Sequence, residues 1–296
     1  MSMFQDIKNG RFYLGDCLEV MKEIPDGVID MILTDPPYGT TACAWDSIIP
    51  LEPMWEQLKR VIKPNGAIVI FGSEPFSSTL RVSNSKWYSY DWKWEKTKPV
   101  GHLNANRKPM NKYEDIIVFS KKQPTYNPQG LKAIEPRSIT RTNKGGIYGE
   151  QAGVGSIQKF TGYPSNIIKF KSQNGELHPT QKPVDLMEYL IKTYTNEGEL
   201  VLDNCAGSGT TAIAAENTGR KWVCIEQLEE YANKAVERIL NHVPEVKPNS
   251  TIQIDDNIPI PEGEEDGNEA VDKVLSKIDK ELMQTGCSHY EQKKEF

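Results

Sequence analysis

Short apolar runs alternate with amphipathic segments along most of the chain. Runs rich in Val, Ile and Leu are typical of buried strands, and apolar residues spaced three and four apart predict helices. Strands are predicted over residues 10–15, 28–34, 67–71, 88–95, 115–120, 200–202 and 221–225, and helices over 17–24, 50–62, 76–82, 186–195, 212–217 and 231–240. The sequence 63–66, Lys-Pro-Asn-Gly, predicts a break between a helix and the next strand. Strands that alternate with helices predict an α/β fold on an open sheet.

Two stretches depart from this alternation. Residues 123–173 contain Gly, Pro, Ser and Thr throughout and show no helical period, so we interpret them as a separate region. From residue 244 onward, prolines and acidic residues predict a solvated linker, and apolar residues between 270 and 282 predict a short amphipathic helix within it. The chain is therefore divided into residues 1–122, 123–173, 174–243 and 244–296.

The residues Asp35-Pro36-Pro37-Tyr38 directly follow the apolar run at 29–34. Proline has a fixed φ and no N–H, so the pair stiffens the backbone and leaves its carbonyl oxygens free to accept hydrogen bonds. A carboxylate beside such a carbonyl can hold both hydrogens of an exocyclic amino group, and a tyrosine ring offers a face on which a planar base stacks. Taken alone, the tetrapeptide fits an ordinary turn after a buried strand equally well.

A second candidate site follows the predicted strand at 200–202. The residues 203–211, Asp-Asn-Cys-Ala-Gly-Ser-Gly-Thr-Thr, lead into a predicted helix. Gly207 and Gly209 allow the backbone to approach a ligand closely, and the first turn of the helix supplies unpaired N–H groups. Glu226 ends the next predicted strand, where a carboxylate is placed to bind ribose hydroxyl groups. The third glycine of the dinucleotide fingerprint is absent, which disfavours a nicotinamide cofactor.

The composition is typical of an intracellular enzyme. The 296 residues suffice for one large α/β domain with a small additional one. Five scattered cysteines without a C-x-x-C pair, together with four histidines, argue against a disulfide framework and against a structural zinc site. Residues 1–10 do not resemble a secretory signal, and no apolar run approaches the length of a membrane span. We therefore expect a soluble, cytoplasmic protein that uses no metal.

The net charge of −6 conceals a strong asymmetry. Residues 81–182 contain 18 lysines and arginines against 7 acidic residues, a net charge of +11, whereas residues 243–296 contain 6 against 13. Aromatic residues are interspersed in the basic stretch, as expected for a surface that contacts phosphates and stacks on bases. Basic runs usually do no more than solvate a surface, but the Gly, Asn and Ser residues between these favour nucleic-acid binding.

Taken in order, these motifs resemble those of a known family. The matching segments also include Gly15-Asp16-Cys17-Leu18, residues 58–71 and 94–119, and residues 178–183, His-Pro-Thr-Gln-Lys-Pro. The chain resembles the S-adenosylmethionine-dependent DNA methyltransferases that act on amino groups, in their circularly permuted β class. The resemblance implies a doubly wound, Rossmann-like methyltransferase sheet with a small target-recognition insert at 123–173. It also implies direct in-line methyl transfer to a base flipped out of double-stranded DNA.

The resemblance also implies roles for individual residues. Asp35, Pro36 and Tyr38 would be catalytic, with Asp35 and the Pro36 carbonyl accepting hydrogen bonds from the target amino group. The cofactor-binding residues would be Asp16, Thr180, Lys182, Asp203, Ala206, Gly207, Gly209, Thr210 and Glu226. The substrate-binding residues would be Pro37, Trp45 and Phe71. On local sequence alone, Asp16 fits a helix N-cap equally well, Lys182 an exposed lysine, and Phe71 a core aromatic.

Several alternatives stay open at this point. Asp35 in the first position of the motif favours adenine N6 as the target, because members that act on cytosine N4 more often carry serine there; cytosine N4 and a catalytically silent DNA-binding relative are the alternatives. The chain also departs from the family at Asn204-Cys205, where a Pro-Phe pair is usual, and we interpret Cys205 as a small apolar residue. A homodimer, a restriction endonuclease partner and the recognition sequence are left open.

Overall fold

The computed structural model of the protein describes residues 3–40, 46–140, 155–172 and 181–244. Within these ranges the chain forms eleven strands and six α-helices. The strands are β1 (Met3–Ile7), β2 (Gly10–Leu14), β3 (Ile29–Thr34), β4 (Ile62–Gly72), β5 (Tyr88–Val100), β6 (Asn111–Phe119), β7 (Lys132–Thr140), β8 (Gly155–Thr161), β9 (Ile167–Lys169), β10 (Leu200–Asp203) and β11 (Lys221–Glu226). The helices are α1 (Cys17–Val20), α2 (Leu51–Val61), α3 (Phe76–Ser83), α4 (Val184–Tyr194), α5 (Thr210–Asn217) and α6 (Glu229–Asn241).

Nine of these strands form one sheet in the order β1-β2-β11-β10-β3-β4-β6-β5-β9. The strands from β2 to β4 in this order are all parallel, and β6 pairs antiparallel with β4. β3 comes early in the chain yet lies beside β10, as a circularly permuted sheet requires. The five parallel strands end at one edge, which we call the carboxyl edge and where ligands of open α/β sheets bind.

Helices cover both faces of this sheet. Successive side chains of a strand point to opposite faces. In β3, Met31 and Leu33 belong to the core that packs against α4, α5 and α6, whereas Ile32 belongs to the core that packs against α1, α2 and α3. The predicted doubly wound architecture is therefore confirmed.

Two local predictions were wrong or incomplete. The helix does end before residues 63–66, at Val61, but β4 begins at Ile62 and includes these residues, where a break before the strand was predicted. Ile62 pairs with Ile29 and Ala67 with Met31, so four residues of β4 stand opposite one residue of β3. The turn-forming residues thus produce an irregularity within the strand, as a bulge does. The edge strand β1 was not predicted, since its five residues, Met-Phe-Gln-Asp-Ile, do not alternate between apolar and polar positions.

The described part of residues 123–173 is built from strands. β7 and β8 form a separate two-stranded antiparallel sheet, and β9 joins the main sheet beside β5. The division of the chain at residues 122, 173 and 243 stays a prediction. The linker and the amphipathic helix predicted beyond residue 244 lie outside the described residues. No helix in the described ranges is both long and apolar enough to cross a membrane.

Candidate active site

A cavity of about 620 Å³ opens at the carboxyl edge of the sheet. Its wall contains residues from both predicted sites, which are far apart in sequence. The predicted residues that line it are Asp16, Asp35, Pro37, Lys182, Asp203, Ala206, Gly207, Thr210 and Glu226. Pro36, Tyr38, Gly209 and Phe71 lie outside the wall, and Trp45 and Thr180 lie outside the described residues. The fold thus brings the two motifs to a single cavity.

The glycine-rich turn between β10 and α5 forms one side of the cavity. Gly207 and Gly209 have φ values of +51° and +73°, in the left-handed region that favours glycine. A Cβ on Gly209 would also lie 3.1 Å from the Cβ of Ala235 in α6. Glycine is therefore required here both by the backbone and by the close packing of α6.

Glu226 lies at the end of β11 and is held by backbone N–H groups. Its two carboxylate oxygens accept hydrogen bonds from the N–H groups of Gly207, at 2.8 Å, and Leu228, at 2.9 Å. Burial raises the pKa of Glu226. Each carboxylate oxygen has a second lone pair, so the fixed carboxylate can also accept hydrogen bonds from hydroxyl groups of a ligand.

Asp203, at the end of β10, is almost fully buried. The N–H of Cys205 donates to it at 3.0 Å, and the hydroxyl of Thr211 donates to its other oxygen. Burial raises its pKa to about 6, although these hydrogen bonds act in the opposite direction. Asp203 is thus mostly ionised at neutral pH and places a negative charge inside the cavity wall.

Asp16 is the N-cap of α1, the role that its local sequence equally allowed. Its side chain accepts a hydrogen bond from the N–H of Leu18 at 2.7 Å and caps the first helix. The side chain is exposed and also borders the cavity. A capping aspartate retains a free carboxylate oxygen, so the two roles are compatible.

Asn204 and Cys205 stand where the resemblance noted in the sequence would place a Pro-Phe pair. Asn204 is buried, and its Oδ1 has no hydrogen-bond partner among the described residues. The thiol of Cys205 accepts a hydrogen bond from Asn204 Nδ2 at 3.4 Å and lies near the thiol of Cys17, a cavity residue that the sequence did not indicate. The Cys17 thiol and burial raise the pKa of Cys205, so the thiol stays protonated, as a small apolar residue would require.

The Asp35 carboxylate is held by two side chains. The hydroxyl of Tyr38 donates to Oδ1, and the ammonium group of Lys182 donates to Oδ2. The Tyr38 ring stacks on Phe76, with centroids 5.3 Å apart, so one of its faces is already covered. Burial first, and then the charge of Asp35, raises the pKa of Tyr38, which keeps its hydroxyl protonated as a donor.

Lys182 is not the exposed lysine that its local sequence also allowed. Only 6% of its side chain is accessible, and its Nζ lies 3.5 Å from Glu114 Oε2 in addition to its contact with Asp35. Burial acts to lower the pKa of Lys182, but the two carboxylates outweigh it and raise the pKa. Lys182 is therefore a permanent cation that lies between the carboxylates of Asp35 and Glu114.

Phe71 does not line the cavity, contrary to the expectation that it contacts the base. Its side chain is fully buried at the end of β4, and the Lys182 ammonium lies 4.9 Å from its ring centroid. An aromatic residue at the end of a central strand packs into the core unless the fold leaves one ring face open, which explains the difference.

Glu114 in β6 was not predicted as a site residue, because nothing in its local sequence indicates that Lys182 lies beside it. Among the described residues, no group of three or more His, Cys, Asp and Glu side chains is arranged to hold a metal ion.

Comparison with known proteins gives consistent matches. A family model described as DNA methylase matches residues 29–237. The Type II methyltransferase M.HpaI of Haemophilus parainfluenzae is 29% identical, over 77% of this chain and 74% of its own length. The crystal structure of the M1.HpyAVI-SAM complex is 26% identical with a TM-score of 0.54, covering 77% of this chain and 99% of that one.

A further structural match supports the fold. The PvuII DNA methyltransferase, described as cytosine-N4-specific, is 18% identical with a TM-score of 0.58, covering 92% of this chain and 93% of that one. At this identity the match bears on fold alone. The expected Rossmann-like methyltransferase fold is confirmed.

Proposed function

The chain belongs to the DNA methylase family whose model spans residues 29–237, and we propose that it methylates the N6 amino group of adenine in double-stranded DNA. As a member of this family it is a DNA methyltransferase that uses S-adenosylmethionine. The observation that carries the proposal is that Asp35, before the two prolines, lies on the same cavity wall as Glu226 and the glycine-rich turn. The amino-group acceptor and the cofactor residues thus share one site.

The cavity suits S-adenosylmethionine in size and charge. Its volume of about 620 Å³ falls within the usual range for small-molecule sites. The sulfonium and ammonium groups of the cofactor are positive, and carboxylates of Asp16, Asp35, Asp203 and Glu226 surround the cavity. When bound, the cofactor supplies an electrophilic methyl group. Of the residues that would hold it, Glu226 offers acceptors to the ribose hydroxyls.

Asn204 gives an independent test of this fit. A buried acceptor without a donor costs about 1–3 kcal/mol. The Oδ1 of Asn204 is such an acceptor among the described residues, and it belongs to a residue of the cavity wall. The ammonium group of the cofactor is a donor that would satisfy it. Asn204 would therefore make a polar contact with the cofactor at the position where the family usually has proline.

The chemistry requires that Asp35 hold the target amino group. The lone pair of an exocyclic amino nitrogen is delocalised into the base, which makes the nitrogen a poor nucleophile. Hydrogen bonds from its two N–H groups to the Asp35 carboxylate and the Pro36 carbonyl favour a tetrahedral nitrogen and localise the lone pair. Donors and acceptors that are fixed before the reaction stabilise the transition state without reorganisation. The rigid proline pair provides this fixation, and Pro37 borders the cavity next to it.

A basic loop beside the cavity supports duplex DNA as the substrate. Asp115 in β6 pairs with Gly72, the last residue of β4, so residues 98–112, which we call the β5–β6 tip, extend beyond the carboxyl edge. The tip contains four lysines and arginines and no acidic residue. Its Leu103 is fully exposed. Positive charge near the catalytic edge is what binding to phosphates requires.

Base flipping follows from the position of Asp35. An amino group that is base-paired inside a duplex cannot reach a carboxylate in a cavity wall. The nucleotide must therefore rotate out of the duplex, which costs a few kcal/mol. Tyr38 would offset part of this cost with the ring face opposite Phe76. Adenine is favoured over cytosine because the motif begins with Asp35 and not with serine. The insert at 123–173 as a recognition region, a homodimer, an endonuclease partner and a cytoplasmic location stay predictions.

The decisive experiment identifies the methylated nucleoside. Duplex DNA is incubated with the protein and with methyl-labelled cofactor, digested to nucleosides and separated by chromatography. We expect labelled N6-methyladenine, and label confined to N4-methylcytosine would contradict the assignment to adenine. In single-turnover reactions Asp35→Ala should be slower by at least about a hundredfold with DNA binding kept. Asp26→Ala is the matched control, since Asp26 is a largely exposed partner of Arg60.

A further inference from the structure

Lys182 occupies one acceptor site of Asp35 Oδ2 and competes with the target amino group for the negative charge of this oxygen. In the structure Tyr38 donates to Oδ1 and Lys182 donates to Oδ2. An ammonium ion paired with a carboxylate reduces the negative charge available to a third group. The reaction needs the opposite, because positive charge develops on the amino nitrogen as the methyl group is transferred. Movement of Lys182 away from Oδ2 when the base enters would restore the negative charge that the reaction uses.

Lys182 has one other carboxylate within reach in the described part of the chain. Glu114 Oε2 lies 3.5 Å from its Nζ, and this oxygen is buried and accepts no hydrogen bond from the described residues. The ammonium group lies over the Phe71 ring and has little contact with water. A buried ion that loses its partner is strongly destabilised. Movement from Asp35 to Glu114 keeps Lys182 paired throughout.

Glu114 is itself well anchored for this role. Its other oxygen, Oε1, accepts a hydrogen bond from Lys96 at 2.5 Å. Its backbone pairs with Trp94 across β5 and β6. Burial acts to raise the pKa of Glu114, but Lys182 and Lys96 outweigh it and lower the pKa, so the carboxylate is ionised at neutral pH. The Glu114 carboxylate is thus a fixed, ionised acceptor beside the Lys182 ammonium group.

We propose that Glu114 is a positioning residue that takes Lys182 from Asp35 when the target amino group enters, and so leaves the Asp35 carboxylate free to accept it. The proposal rests on the methyltransferase function and adds a residue that acts through Lys182 without touching the base. Formation of the Lys182–Glu114 hydrogen bond also satisfies Glu114 Oε2. This gain partly offsets the loss of the contact between Lys182 and Asp35.

The test compares Glu114→Gln with Glu114→Asp. The glutamine variant keeps the size of the side chain and removes its charge, so Lys182 should stay on Asp35. We expect kcat and the single-turnover methylation rate, both measured at saturating cofactor and DNA, to fall at least tenfold. The KM for the cofactor and the KM for DNA should each change less than twofold. The aspartate variant keeps the charge and should recover part of the rate. Glu95→Gln is the matched control, because Glu95 is a more exposed carboxylate in the neighbouring strand and pairs with Lys112 and Lys169.

Three results would overturn the proposal: a wild-type rate in Glu114→Gln, equal rates in the glutamine and aspartate variants, or a loss confined to KM. Circular dichroism and calorimetry of cofactor binding check that each variant is folded. Should the glutamine variant not fold, the aspartate variant decides alone: a rate at least threefold below wild type supports the proposal, and a wild-type rate contradicts it. Absence of methylated nucleoside with the wild-type protein would instead contradict the proposed function, so the two failures are distinguishable.

Discussion

Lys182 enters a site that is otherwise rich in acidic groups. Asp35 and Glu114 flank its ammonium group, and Asp203 and Glu226 lie on the wall of the adjoining cavity. Lys96 also pairs with Glu114, so two lysines face four carboxylates. S-adenosylmethionine carries a sulfonium and an ammonium group against one carboxylate, so its binding offsets part of the remaining negative charge. Cofactor binding should thus reduce the excess negative charge of the site.

Asp203 should make the protein less stable as the pH rises. The pKa of Asp203 is about 6 in the folded state, and the ordinary value of 3.8 applies to the unfolded state. Between these values the folded state holds a proton that the unfolded state has lost, so the free energy of unfolding falls with rising pH. The shift corresponds to about 3 kcal/mol. This contribution is fully present below pH 4 and lost above about pH 6.

Asp203→Asn isolates this effect from the other carboxylates. Urea unfolding of both proteins at several pH values gives the difference in stability. Relative to the variant, the wild-type protein should lose about 2 kcal/mol between pH 4 and pH 7. A difference that stays constant over this range would show that Asp203 is solvated and titrates normally. Saturating cofactor should reduce the difference, because a nearby cation favours the ionised carboxylate.

At the scale of elements, the fold of the proposed cofactor-binding unit was predictable and the pairing of Lys182 was not. The strand, glycine turn, helix and terminal carboxylate of that unit all fall between Leu200 and Glu226, so each signal acts locally. Lys182 and Asp35 are 147 residues apart, and no local pattern records that contact. The early start of β4 was unpredictable for a related reason, since Ile62 pairs with Ile29 of a distant segment while residues 63–66 have no partner in β3.

The packing of α5 on α6 depends on Gly209. Gly209→Ala forces a side chain into the left-handed region and places its Cβ 3.1 Å from Ala235. Gly198→Ala is a matched control, because Gly198 has a φ of +79° and nothing within 4 Å of an added Cβ. Both variants should lose about 1–2 kcal/mol from the backbone. Gly209→Ala should lose about 1 kcal/mol more from overpacking, measured by urea unfolding, and equal losses would show that α6 moves aside freely.

At the scale of the whole molecule, positive charge is concentrated in the β5–β6 tip at the carboxyl edge of the sheet. The chain carries a net charge of −6, yet the β5–β6 tip beside the carboxyl edge has no acidic residue. A polyanion such as DNA is therefore attracted to one side of a protein that repels it on average. The same edge holds the cavity and Asp35, so this attraction would bring DNA to the proposed catalytic residue.

This arrangement predicts how DNA binding responds to salt. Each phosphate contact that is lost should make the plot of log binding constant against log salt concentration shallower by about 0.9. Arg107 and Lys108 are exposed on the tip, so Arg107→Gln with Lys108→Gln should reduce the slope by about 1.8 and weaken binding to all duplexes alike. Fluorescence anisotropy with labelled duplex at several salt concentrations measures the slope. Lys221→Gln is the control, because Lys221 is exposed at the first residue of β11, at the opposite edge. If the control reduces the slope as much as the double variant does, or the double variant leaves it unchanged, DNA does not approach along the carboxyl edge and the tip is not part of the interface.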